Sequence, residues 1–180
     1  TTQAILTAFS QVEDAIKNLV KVPEKTVDDI SSTTADSGPG RVTACRNTAA
    51  VQADANVGGI VGMIAPELDI DPEQDIDLSS EHLIVDTHAL LKATVRDCRN
   101  DGAITAKNEC AGGIFGRSEL GAAIGCVSKS TVEVENGGLA GGIAGQSGSR
   151  IENCAAQADV TGGDSLGGIA GQGTDIVNCR

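Results

Sequence analysis

Hydrophobic residues and glycines recur at fixed positions along the last two-thirds of the chain. Each unit has an aliphatic residue, a cysteine three positions later, a β-branched residue six positions after the cysteine, and then a Gly-Gly-Ile-x-Gly segment. The four copies of that segment span residues 58–62, 112–116, 141–145 and 167–171. A period in the twenties, kept over several copies, is typical of an array of stacked units and not of a globular enzyme.

Each unit offers three short strand-like stretches, around the cysteine, around the β-branched residue and around the glycine pair, with corners between them that contain Gly or Asn. No unit contains a periodic segment long enough for a helix, so βαβ units are not expected. The pattern predicts an all-β solenoid, a right-handed parallel β-helix with about three short strands per coil and about four coils. Inward positions then stack like on like, and the glycine pairs allow a corner conformation or a close backbone approach. Asparagine tolerates a positive φ, so we expect corner positions for Asn47, Asn100, Asn153 and Asn178.

The first 40 residues do not follow the repeat. In residues 1–22 the apolar side chains step by three and four, which predicts an amphipathic α-helix. This helix either caps the open end of the array or forms a coiled-coil segment with another copy or with preceding chain. Residues 23–40 are rich in Thr, Ser, Asp, Gly and Pro and predict a linker or extended segment. The β-helix repeats then occupy residues 41–180. The chain starts without Met and stops within a repeat, and we expect it to be a segment of a longer protein.

An acidic insertion of about 26 residues, at about 63–91, interrupts the first coil. Insertions in solenoids map to corner loops on one face. Carboxylates at every second position make this insertion a candidate calcium site; they are Asp69, Asp71, Glu73, Asp75 and Asp77. The EF-hand pattern fails, because Gln74 replaces the sixth-position glycine and Ser80 the twelfth-position glutamate. The alternative is an extended edge with solvated carboxylates, and we then expect no cofactor. His82 and His88, near this segment, are interpreted as ordinary histidines.

Five of the six cysteines occupy equivalent repeat positions. Stacked side chains about 4.8 Å apart with parallel Cα–Cβ bonds keep the Cβ atoms further apart than the roughly 3.8 Å that a disulfide prefers. The sequence therefore predicts a ladder of buried free thiols, with Cys110 outside it. A zinc site is not expected, because the cysteines lie 12 or more residues apart and no Cys-x-x-Cys pair is present.

The net charge of −12 and the lack of a basic stripe argue against binding to nucleic acid or to anionic membrane surfaces. No apolar run reaches membrane-spanning length, so this segment is not expected to insert into a membrane. The repeat carboxylates scatter over different positions, and Phe115 is the only aromatic residue of the repeats. Sugar-cleaving sites gather their acid and base groups on one face, so we expect the protein not to be an enzyme.

The tetrads Gly-Ile-Val-Gly, Gly-Ile-Phe-Gly and Gly-Ile-Ala-Gly, together with Ile151-Glu152-Asn153-Cys154, resemble GLUG motif repeats over about residues 41–180. The resemblance implies a larger secreted or surface-anchored protein of Gram-positive bacteria, adhesin-like or flanking peptidase domains. The stretch 69–73 is similar to an insertion in surface proteins of gut Clostridia. No catalytic residues come with the resemblance. It implies an extracellular, cell-wall location, and a structural or adhesive module that serves as a stiff spacer and binding surface.

The partner of such a module is a host, glycan or protein ligand, together with other domains of the parent chain. The alternative functions are a carbohydrate-active β-helix, either polysaccharide-degrading or glycan-binding, and a calcium-stabilised binding module.

Overall fold

A computed structural model describes residues 3, 7, 11, 26–31, 40–66, 76–77, 84–85 and 88–180. The chain divides into two compact units, one of residues 1–26 and 68–89 and the other of residues 27–67 and 90–180. The strands in chain order are β1 (Thr26–Asp29), β2 (Arg41–Thr43), β3 (Arg46–Asn47), β4 (Val51–Ala53), β5 (Val57–Gly58), β6 (Val61–Ile64), β7 (Ile76–Asp77), β8 (Ile84–Val85), β9 (His88–Leu91), β10 (Thr94–Arg96), β11 (Arg99–Asn100), β12 (Ile104–Ala106), β13 (Cys110–Gly112), β14 (Phe115–Ser118), β15 (Ala122–Ile124), β16 (Val127–Ser128), β17 (Thr131–Val134), β18 (Leu139–Gly141), β19 (Ala144–Glu152), β20 (Ala155–Ala156), β21 (Asp159–Gly162), β22 (Ser165–Gly167) and β23 (Ala170–Val177).

The larger unit is a parallel β-solenoid, as the repeat predicts. Three of its sheets each stack four strands, in the orders β3-β11-β16-β20, β4-β12-β17-β21 and β5-β13-β18-β22. From the first to the last strand of each sheet the chain makes three full turns. A fourth, seven-stranded sheet contains β2, β6, β10, β14, β15, β19 and β23. Every strand pair within these four sheets is parallel.

The first two coils have five short strands each, and the nine-residue β19 runs from the third coil into the fourth, so the prediction of about three strands per coil is wrong. The second coil, for example, runs from β10 to β14. One extra break comes from the residue before each repeat cysteine, which has a positive φ and turns the chain sharply. The angles are 54° at Ala44, 53° at Asp97, 66° at Gly125, 54° at Asn153 and 53° at Asn178. A second break falls within each glycine–isoleucine segment, between β13 and β14 in the second coil.

The repeat positions fall in vertical register. The aliphatic column consists of Val42, Val95, Ala123, Ile151 and Ile176. Two buried clusters form the core. One contains Val95, Phe115 and the buried repeat cysteines, and the other contains Ile104, Val132 and small alanines. Phe115 is 1% exposed, so the one aromatic residue of the repeats fills the coil interior.

The glycine pairs serve close backbone approach, one of the two roles predicted for them. Gly112 has no positive φ, yet a Cβ added there would overlap the carbonyl oxygen of Phe115 and lie 2.7 Å from the Cα of Ala144 in the next coil. The equivalent Gly141 meets the carbonyl of Ala144 and the Cα of Ala170 in the same way. Any side chain at these positions would push successive coils apart.

The asparagines divide into two groups. Asn153 and Asn178 occupy left-handed corner positions, as predicted. Asn47 and Asn100 instead lie in β3 and β11, and Asn100 is completely buried. Its amide bonds the backbone of Gly102 at both N and O, so it supports a corner from inside the coil.

Most of the predicted N-terminal helix, residues 1–22, lies outside the described residues. Gln3, Thr7 and Gln11 are described, and they are helical and exposed. The predicted extended segment 23–40 contains β1, while residues 32–39 lie outside the description. None of the described helical residues belongs to a helix with the length and hydrophobicity needed to cross a membrane.

Candidate functional site

The acidic insertion replaces a single corner of the solenoid. The first coil leaves the array after Ile64 in β6 and re-enters it at Thr94 in β10. In the second coil the same corner needs only residues 119–121, between β14 and β15. The insertion contains an antiparallel pair, in which Ile76 faces Val85 and Asp77 faces Ile84.

Four of the five candidate calcium ligands lie outside the described residues; they are Asp69, Asp71, Glu73 and Asp75. Asp77 lies in β7. Within the described part of the chain, no group of three or more His, Cys, Asp or Glu side chains could hold a metal ion. His82 is also outside the described residues, and His88 begins β9. The calcium site therefore stays a prediction.

The segment before the solenoid is hydrogen-bonded both to the chain that follows the insertion and to the equivalent corner of the second coil. The backbone N–H of Gly121 donates to Oδ2 of Asp29 at 2.9 Å, and the N–H of Ala93 donates to Oγ of Ser31 at 2.8 Å. The N–H of Ile30 also donates to the carbonyl of Leu91 at 2.8 Å. Burial alone would raise the pKa of Asp29, but its hydrogen bonds with Ser31 and Gly121 outweigh burial and lower it. These contacts join residues up to 92 positions apart, and no repeat pattern signals them.

The repeat cysteines form the predicted thiol ladder. The Sγ of Cys126 donates to the carbonyl of Val95 in the preceding coil at 3.4 Å, and the Sγ of Cys154 donates to that of Ala123 at 3.6 Å. The same bond recurs from Cys98 to Val42 and from Cys179 to Ile151. All six cysteines are free. Cys98, Cys126 and Cys154 are buried, while Cys45, in the first coil, is exposed.

The environment of the ladder raises the pKa of three of its thiols, whereas the hydrogen bond with Cys126 lowers the pKa of Cys154. Hydrogen bonding with Cys154 and then burial raise the pKa of Cys126. Burial is the main cause of the raised pKa of Cys98 and of Cys179. Cys110, outside the ladder, also has a raised pKa because it is buried. A neutral buried thiol is a poor nucleophile and a poor metal ligand, so the ladder serves packing and hydrogen bonding.

Open grooves lie beside the sheet β3-β11-β16-β20. One has a volume of about 750 Å³, and its lining includes Asp101, Lys129, Thr131, Gln157 and Asp159. Its neighbour, of about 370 Å³, shares Lys129 and Gln157 and ends at Arg180. Hydroxyl, amide, ammonium and carboxylate groups together suit a polar ligand better than an apolar one.

Asp101, in the lining of the larger groove, belongs to an ion-pair group. The carboxylate of Asp101 accepts from Arg46 at 2.9 Å and from Arg99 at 2.7 Å. The hydrogen bond with Arg99 is the main reason why the pKa of Asp101 is lowered, and Arg46 adds to it. Sequence reasoning missed this group, because Arg46 and Asp101 are 55 residues apart and meet only through the register of the coils.

Comparisons with curated proteins and with solved structures find no match to this chain. A family model, that of the GLUG motif, matches residues 136–161, which include β18, β19 and β20. The solenoid therefore contains a GLUG-repeat region.

Proposed function

We propose that this protein is a non-catalytic structural and adhesive repeat module of a larger secreted or surface-anchored bacterial protein. The observation that supports this most is the vertical register of the aliphatic column. The aliphatic column passes through five strands, from Val42 to Ile176, and every rung is hydrogen-bonded to the next. Such stacking makes each coil rigid through its neighbours, which suits a stiff spacer with long lateral faces.

The proposal also covers the handedness of the coils, the role of the N-terminal helix and the origin of the parent protein. The coils are right-handed, because connections between parallel strands of one sheet are right-handed in the great majority of proteins. The N-terminal helix caps the open end of the array, because an exposed strand edge invites aggregation. The parent is a Gram-positive, gut Clostridia-like surface protein, and the resemblance of the tetrads to GLUG repeats supports this origin.

Single-molecule pulling tests the spacer role. With handles at both chain ends, the solenoid should resist extension up to a force threshold and then lengthen in repeated steps, one coil at a time. Smooth extension at low force would contradict a stiff spacer. Beads coated with the protein test the adhesive role, and they should attach to host glycan or protein surfaces more strongly than beads coated with albumin.

Two measurements test whether the module works without catalysis or a cofactor. Incubation with host and plant polysaccharides should release no shortened products, and a release would support the carbohydrate-degrading alternative. The melting temperature should be the same in EDTA and in added calcium. A midpoint that climbs with calcium concentration would instead support the calcium-stabilised module, because a ligand that binds only the folded state raises its stability.

A further inference from the structure

Cations recur along one lateral sheet of the solenoid. Arg46 and Arg99 are paired in register, and the same outward column continues through Val127 and Ala155. Arg180 follows Ala155 in the column, since its N–H donates to the carbonyl of Cys154 and its own carbonyl accepts from Ala156. The next outward column contains Asp101, Lys129 and Gln157. We call the surface formed by Arg46, Arg99, Lys129, Arg180 and Asp101 the basic face.

The charge of the basic face is opposite to that of the chain. The protein carries a net charge of −12, whereas this face holds four cations against the single carboxylate of Asp101. Asp101 is bound to both Arg46 and Arg99. Among the described residues, Lys129 and Arg180 form no salt bridge, and both are exposed. Asp159 lines the same groove as Lys129 and brings a second carboxylate to it. The basic face is therefore positively charged and partly unneutralised.

Grooves run along the same face. Those of about 750 and 370 Å³ share Lys129, and a third, of about 310 Å³, reaches Arg180 from the other side. Their floor consists of small side chains, such as Ala155 and Val127. Arg99 and Arg180 are three rungs apart, which is about 14 Å at the usual strand spacing. A compact anion would reach one or two of the cations, whereas an extended polyanion would reach all of them.

The surroundings favour a polysaccharide over an acidic peptide. β11 and β16 are paired on both sides, so they leave no free edge to which a peptide could add as a strand. The small side chains of the floor provide no deep apolar pockets for peptide side chains. The walls instead present the hydroxyl of Thr131 and the amide of Gln157, groups that hydrogen-bond to sugar hydroxyls.

We propose that the basic face binds an anionic polysaccharide, one that carries carboxylate or sulfate groups, laid along the stacked coils. The inference rests on the proposal that the solenoid is a binding module, and it names the class of ligand and the residues that hold it. The cations supply the attraction and the grooves hold the sugar rings.

Binding to three polymers with one backbone tests the proposal. Dextran sulfate and carboxymethyl-dextran distinguish sulfate from carboxylate, and plain dextran measures binding without charge. We expect one or both charged polymers to bind to the full chain in low salt, and plain dextran not to bind. The affinity should fall as the salt concentration rises, because exposed charges are screened.

A pair of double variants locates the site. Replacing Lys129→Gln and Arg180→Gln removes two cations from the basic face, and we expect an affinity for the charged polymer roughly tenfold weaker. Lys107→Gln with Arg117→Gln removes the same two charges from other parts of the solenoid, where they pair with Asp54 and Glu119. This control should change the affinity less than about twofold. Unchanged melting temperatures show that the variants are folded.

Several outcomes would overturn the proposal. Equal losses in the two double variants would mean that no particular face binds, and binding of plain dextran as strong as that of its charged forms would exclude a charge-based site. Absence of binding to both charged polymers also overturns it, and binding of poly-L-glutamate in their place would assign the face to acidic peptides. Each outcome is separate from the pulling experiment, which measures stiffness and can fail or succeed independently of ligand binding.

Discussion

In every coil two inward positions lie two residues apart, and the solenoid fills them differently. The thiol column, formed by Cys45, Cys98, Cys126, Cys154 and Cys179, keeps one residue type on five rungs. The mixed column, formed by Asn47, Asn100, Ser128 and Ala156, changes from amide to hydroxyl to methyl along the same axis. Both columns are buried in the middle coils.

The difference follows from the partner of each side chain. A ladder thiol donates to a backbone carbonyl of the preceding coil, as Cys126 does to Val95. Because the backbone repeats from coil to coil, each rung of the thiol column offers the same carbonyl as hydrogen-bond partner. In the mixed column Asn100 bonds the corner at Gly102, and Ser128 bonds the hydroxyl of Ser130. The hydrogen-bond partner in the mixed column therefore differs from one coil to the next. A position whose partner is the repeated backbone is fixed, whereas a position whose partner is local varies.

The largest expected effect on stability concerns Gly113, the glycine that lies against the mixed column. A Cβ at Gly113 would overlap Oγ of Ser128 and the carbonyl of Gly142, and lie 2.7 Å from the Cβ of Ser128. Gly113→Ala should lower the free energy of unfolding by about 3 kcal/mol or more, because the backbone of the next coil cannot move aside. Urea denaturation measures the change.

Gly168 is the matched control, because it occupies the same position of the last tetrad and a Cβ there meets nothing within 4 Å. Gly168→Ala should change the stability by less than about 1 kcal/mol, in either direction. Equal losses in the two variants would show that the second glycine serves backbone conformation and not the packing of the mixed column.

The next test removes a buried polar group from the mixed column. Asn100→Ala should cost about 2–3 kcal/mol, because the N–H and carbonyl of Gly102 lose their partner in a buried site. Asn100→Ser should recover part of the loss, since serine occupies the same position in the next coil as Ser128. Thermal and urea unfolding measure both. An Asn100→Ala variant as stable as the parent would mean that the amide only occupies space, as the methyl group of Ala156 does in the same column.

The contrast between the two columns also explains what the sequence could reveal. The cysteines and aliphatic residues repeat because their partner is the repeated backbone, so periodicity alone located the coils, the register and the free thiols. The number of strands was missed because the left-handed corner before each cysteine accepts Ala44 and Asp97 as well as Gly125 and Asn153. No residue type marks that position.

The basic face was missed for a related reason. Its cations occupy only some rungs of an outward column, and Val127 and Ala155 occupy the others. The net charge of the whole chain does not indicate such a local cluster of cations, since 25 acidic residues outnumber 13 basic ones. A repeat alignment that compares outward positions rung by rung would have found Arg46 and Arg99 together, but not the open grooves beside them.

A smaller effect is expected in the thiol column. Cys126 is completely buried, and Cys126→Ala removes its sulfur from contact with two carbonyls. The cavity and lost transfer free energy should cost about 1–2 kcal/mol. Cys45→Ala, at the exposed end of the same column, should cost less than about 0.5 kcal/mol. Urea unfolding of the pair checks whether burial sets the cost. Equal costs at both rungs would show that burial does not set the cost.

The smallest effect is a dependence of stability on alkaline pH. The pKa of Cys126 is raised in the folded protein by hydrogen bonding with Cys154 and by burial, whereas an unfolded thiol has a pKa of about 8.5. The stabilisation is complete below the unfolded pKa and declines as pH rises above it, because only the unfolded chain then releases the proton. Between pH 7 and pH 8.5, this one thiol should reduce the free energy of unfolding by about 0.4 kcal/mol.

Cys126→Ala should remove that part of the pH dependence, and Cys45→Ala should leave it in place. Urea unfolding at several pH values between about 7 and 9.5 measures both slopes, in a range where most unfolded lysines keep their charge. The mixed column has no group that titrates there, so Asn100→Ser should keep the parent slope even though it lowers the stability at every pH. The opposite result would be a slope of stability against pH that changes in Asn100→Ser and stays the same in Cys126→Ala. The alkaline loss of stability would then come from loosening of the corners, and the thiol column would titrate in the folded state.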